Sequence, residues 1–133
     1  MGKFACTCGH VISDCQCPND VTGDVLSDKS FNVLSDAIVS VVQDYLEHLQ
    51  KGQVDEWRTQ HLGNDYPDDL SAGDMIEDVL TSKFWDLTLA MFECDQCGRL
   101  WVQRAVGVNE YRGYSPDDPE SRVKILGLNQ RSE

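Results

Sequence analysis

Six cysteines lie at positions 6, 8, 15, 17, 94 and 97 of the 133-residue chain. They form three close pairs: Cys6-Thr7-Cys8-Gly9, Cys15-Gln16-Cys17-Pro18 and Cys94-Asp95-Gln96-Cys97-Gly98. Paired thiolates on tight turns are a donor set for tetrahedral zinc, with two sulfurs from each of two turns. In such a turn, amides two and three residues beyond the first cysteine can donate to sulfur. A glycine after the second cysteine can take a positive φ. Cys8 and Cys97 are followed by glycine, whereas Cys17 is followed by Pro18, which has no N–H and a fixed negative φ. This ranking assigns Cys6, Cys8, Cys94 and Cys97 to one structural Zn2+, although C-x-C is one residue shorter than the usual C-x2-C. Cys15 and Cys17 are extra thiols with three open roles: free in a loop, replacement ligands, or part of a second site with His10. A dinuclear cluster is also open, because four sulfurs fall within Cys6–Cys17.

The elements that position these turns follow from periodicity. Lys3–Cys6 and His10–Ser13 read as short strands flanking the first knuckle. Asp14–Lys29 is polar and turn-rich. Phe31, Leu34, Ile38, Val41, Val42, Tyr45 and Leu49 recur at helical spacing, with Ser27 or Asp28 as cap and Gly52 just past the end. Val54, Trp57, His61 and Leu62 predict a shorter second helix. Ser71-Ala72-Gly73-Asp74 has the capping-box form and opens a third helix, expected to end near Lys83. From Phe84 to Glu93 the period changes to two, which predicts a strand running into Cys94. Leu100–Val106 would return from it, so the second knuckle sits at a hairpin tip. Residues 122–128 could add a last strand. The expected fold class is α+β: a zinc ribbon and small antiparallel sheet from both chain ends (1–14 and 84–128), with an acidic helical insert (27–83), in a single domain.

The net charge is −12, and it is uneven: residues 13–95 hold 18 acids and 4 bases, a net −14. Such a segment repels phosphate, so direct binding of nucleic acid through it is not expected, and it attracts basic surfaces. No 18-residue apolar run is present, and the first residues lack the apolar core of a signal peptide, so a cytoplasmic chain with reduced thiols is expected.

Phe4-Ala5-Cys6-Thr7-Cys8-Gly9-His10-Val11-Ile12, with Glu93-Cys94-Asp95-Gln96-Cys97-Gly98-Arg99-Leu100-Trp101-Val102 far downstream, resembles a zinc ribbon. It is similar to small, poorly characterised bacterial proteins with an N-terminal C-x-C-G knuckle and a late C-x2-C-G-R-L knuckle. Tyr111–Asp117 resembles the tail of such proteins. The resemblance implies a structural zinc and no established catalytic residues, and Cys15 and Cys17 depart from its pattern.

The functional expectation is a non-catalytic protein whose acidic insert binds a basic protein partner. An immunity-type inhibitor of a nucleic-acid-cleaving toxin is one such protein. The densest acidic patch is Asp65, Asp68, Asp69, Asp74, Glu77 and Asp78, around Tyr66, with Trp57, Tyr66 and Trp85 as aromatic anchors. The bland alternative is a solvated face that only keeps the chain soluble. A second reading is redox or electron transfer through Cys94-x2-Cys97, or through iron held by four sulfurs. A third is a ribbon acting on nucleic acid through Arg99, Arg104, Arg112, Arg122 and Lys124, against which the acidic middle works. Zinc hydrolysis needs an open coordination position, and four thiolates leave none unless His10, His48 or His61 replaces one.

Overall fold

The computed structural model describes residues 2–118 and 124–127. The elements are β1 (Lys3–Ala5), β2 (Val11–Ser13), β3 (Thr22–Val25), α1 (Asp28–Gln50), α2 (Val54–Leu62), α3 (Ala72–Trp85), β4 (Leu89–Glu93), β5 (Leu100–Gln103) and β6 (Tyr111–Tyr114). This is an α+β protein with two small antiparallel sheets, β1-β2 and β3-β4-β5-β6. The chain divides into two units, Met1–Val25 with Leu89–Glu133, and Leu26–Thr88. Among the described residues no helix is long and apolar enough to cross a membrane.

In the helical unit, Ser27 and Ser71 cap α1 and α3, their hydroxyls accepting from the amides of Ser30 (3.0 Å) and Asp74 (3.1 Å). Gly52 follows the C-cap Lys51 at φ 69°, the left-handed position that ends α1. The buried residues Val41, Tyr45, Trp57, Met75 and Val79 form one core from all three helices.

In the two-sheet unit, Phe4 of β1 lies against the four-stranded sheet, with its ring centroid 5.1 Å from each of Phe92, Trp101 and Tyr111. Cys6, Ile12 and Cys94 are the buried centre. Glu93, only 2% exposed, accepts from the amides of Ile125 (2.8 Å) and Leu126 (2.8 Å), which holds residues 124–127 on the sheet.

Four expectations are corrected. The strand expected from Phe84 begins at Leu89, and α3 continues through Trp85. The reason is pairing: β3 ends at Val25, opposite Leu89, so earlier residues have no strand beside them. The stretch 14–29, read as polar and turn-rich with no strand assigned, contains β3, entered through a turn in which Asn19 accepts from the amides of Val21 and Thr22. The region expected only as a tail contains β6. Residues 124–127 of the expected last strand form none, and 122, 123 and 128 lie outside the described residues.

Candidate metal centre

Each knuckle is built by its own backbone. The Cys6 amide donates to the His10 carbonyl (2.9 Å) and the Gly9 amide to the Cys6 carbonyl (3.0 Å). The Cys94 amide donates to the Arg99 carbonyl and the Gly98 amide to the Cys94 carbonyl, both at 2.9 Å. Gly9 and Gly98 sit at φ 97° and 77°, where a Cβ would be strained. The turns therefore close as the glycine positions require.

The fold brings the Sγ atoms of Cys6, Cys8, Cys94 and Cys97 within 4.8 Å of one another. Cys6 and Cys97 are 3.6 Å apart, as are Cys8 and Cys94. A disulfide would need about 2.05 Å. Zinc–sulfur bonds of about 2.3 Å in a tetrahedron place sulfurs about 3.8 Å apart, so the spacing fits a shared ion. The amides of Gln96 and Cys97 donate to the Cys94 sulfur, that of Arg99 to Cys97, and that of Cys8 to Cys6. These donors neutralise part of the charge that four thiolates would carry.

Sequence reasoning missed the indole of Trp101, whose Nε1 donates to Cys6 Sγ at 3.4 Å. Gly113, opposite Trp101 on β6, makes room for that ring: a Cβ there would come within 3.0 Å of it. Also missed was a tie between the knuckles, His10 Nε2 to Asp95 Oδ1 at 2.8 Å. His10 is thus a neighbour of the cluster and outside the four-sulfur set. The structure places Cys15 and Cys17 on the surface, outside that set. His48 and His61 belong to the helical unit: His48 Nδ1 lies 2.7 Å from the Asp44 carbonyl, and His61 Nε2 lies 2.9 Å from Asp44 Oδ2.

The thiols differ in acidity. Burial pushes Cys94 up to about 12 despite its amide donors, and burial also raises Cys97. Burial acts the same way on Cys6, but the Cys8 amide, the Trp101 indole and the Cys97 thiol outweigh it and bring Cys6 down to about 6. A thiol held above its usual value keeps its proton until a cation displaces it, so metal affinity must rise with pH. Between pH 6.5 and 7.5 we expect at least two protons released per metal, or about a hundredfold gain in affinity per pH unit. Chelator competition across that range measures the slope, and a flat profile would contradict it.

Of the acidic patch, Asp65, Asp68, Asp69, Asp74, Glu77 and Asp78 are all exposed. The Tyr66 hydroxyl donates to Asp78, which holds the phenol up at about 12, and its ring packs on the helical core. Trp57 is 0% exposed and cannot anchor a partner; the expectation is corrected, because the residue is the centre of that core. Trp85 is 55% exposed. Of the bases, Arg104 pairs with Glu110 (3.0 Å), Lys124 lies 3.7 Å from Asp20, and Arg99 lies over the Trp101 ring. Arg122 lies outside the described residues.

These features define an α+β protein with a four-cysteine cluster at metal-binding distance, compatible with a zinc ribbon. A family model described as a domain of unknown function, DUF8617, matches residues 2–118, and the chain belongs to that family. No curated protein and no solved structure matches the chain.

Proposed function

We propose that this is a non-catalytic zinc-binding protein. Cys6, Cys8, Cys94 and Cys97 hold one structural Zn2+, and the acidic helical unit offers its face to a basic protein. The metal reading is carried by the convergence of thiols as far apart in sequence as Cys8 and Cys94, 86 positions, on two knuckles with amide donors at the sulfurs. Four soft donors suit zinc over magnesium or calcium, and they fill the tetrahedron, leaving no position for a reacting water. The partner reading is supported by charge: residues 26–88 hold 13 acids and 4 bases, a net −9. The exposed carboxylates around Tyr66 would fit a cationic, phosphate-binding cleft, the kind of surface a nucleic-acid-cleaving toxin carries.

Mass spectrometry of protein purified without added metal is expected to find one zinc per chain in a colourless solution. A red or brown protein with stoichiometric iron would overturn the metal reading. For the partner, capture from the native host at low salt is expected to recover a basic protein that elutes as salt rises. The joint variant Asp65→Asn, Asp68→Asn, Asp69→Asn should lose it. Recovery of no basic protein, or equal recovery by the variant, would overturn the partner reading.

A further inference from the structure

From residue 31 to residue 50 this acidic chain keeps one face of α1 free of charge. On α1, Phe31, Ile38, Val42, Leu46 and Leu49 fall on one stripe at helical spacing, with Val39 at its edge. It lies beside the buried stripe of Leu34, Val41 and Tyr45, and most of it is open: Phe31 is 58% exposed, Leu46 48% and Leu49 51%. The positions that complete this face between residues 31 and 50 are Asn32, Ser35, Gln43 and Gln50, all neutral. The acids Asp36, Asp44 and Glu47 lie further round the helix. The stripe is about 27 Å long. A shallow groove lined by Leu34, Ile38, Leu80, Thr81 and Phe84 continues it onto α3.

We infer that this stripe seats a second copy of the chain, with the two α1 helices packed antiparallel. The apolar positions are symmetric about residue 40. An antiparallel pair therefore sets Phe31 opposite the second Leu49 and Ile38 opposite the second Val42. Ser35, the small residue in the stripe, meets the bulky second Leu46. In this pairing the helix dipoles oppose. The symmetric spacing of the stripe and its lack of charge select this occupant. A basic protein finds no counter-charge on it. A second copy meets an uncharged face with an uncharged face. This inference does not rest on the metal reading.

Sedimentation equilibrium of the full metal-loaded chain is expected to give twice the 15.0 kDa chain mass. Ile38→Glu and Val42→Lys, each alone, should weaken association by about a hundredfold or more, with helical circular dichroism unchanged. Mixing the two variants should restore the dimer, because an antiparallel pair sets one Glu beside one Lys and leaves one native apolar pair. A parallel pair would not be rescued. If Ile38→Glu fails to fold, Leu46→Lys, at a more exposed position, takes its place as the single-variant test. A monomer at near-millimolar concentration, a dimer that survives the single variants, or a failed rescue would each overturn the inference.

Discussion

Replacing Cys94 with serine is expected to strip the metal and unfold the two-sheet unit, while the helical signal persists. Besides the aromatic packing around Phe4, the buried apolar residues among those described in this unit are Cys6, Ile12 and Cys94, so two of the three are themselves thiols of the cluster. β1 and β2 have three residues each, too short to be stable as an isolated hairpin. Structural zinc typically supplies about 10–16 kcal/mol of apparent folding free energy, and whole domains are stable by only about 5–15 kcal/mol. The metal term is as large as the stability of a whole domain, so losing it would unfold the unit. Serine offers a harder donor that keeps its proton, and it leaves Cys97, Cys6 and Cys8 as crowded thiols with no shared ion. Metal content should fall to background and the Trp101 emission should shift to that of an exposed indole. Ellipticity at 222 nm should stay close to wild type, because α1, α2 and α3 pack on their own core. Cys15→Ser is the control: its thiol is exposed and outside the cluster, so metal content should not change. A Cys94→Ser protein with full metal and an unshifted melting temperature would remove these sulfurs from the metal site.

The knuckles were legible in the sequence because their chemistry is local. Thiol spacing and the glycines at 9 and 98 specify turn, φ and amide donors within six residues. Helix starts were legible for the same reason, since Ser27 and Ser71 satisfy amides three positions away. Features set by distant neighbours were not. Thr22–Val25 has Gly23 and Asp24 at its centre, poor strand formers, and becomes a strand because β4 pairs with it across more than sixty intervening positions. Gly113 likewise argues against a strand until the Trp101 ring is seen to need its space. The extent of α3 was misread because the alternation 85, 87, 89, 91 is real, while half of it has no neighbouring strand. A tryptophan in a short helix with a weak apolar pattern reads equally as anchor or core; only the convergence of α1 and α3 on Trp57 decides it.

That residue gives the second large effect. Trp57→Ala is expected to destabilise the helical unit by about 3–5 kcal/mol, the usual range for emptying a buried aromatic site. Trp57 is 0% exposed, meets Tyr45 edge-on at 5.0 Å and lies 4.9 Å from the His61 ring, with Val41, Met75 and Val79 completing the shell. Three helices contribute to that shell and each uses the indole as a common surface, so the cavity cannot collapse by moving one of them. Trp57→Phe separates packing from polarity. The indole N–H is buried with no hydrogen-bond partner among the described residues, so phenylalanine loses volume and forfeits no bond. It should therefore cost less than half as much as alanine. Urea unfolding followed at 222 nm reads both variants, and metal content should stay at one per chain, because the cysteines belong to the other unit. An alanine variant with the wild-type midpoint would show that the tryptophan does not organise the helices. A phenylalanine variant as unstable as alanine would show that the N–H makes a bond on which the core depends.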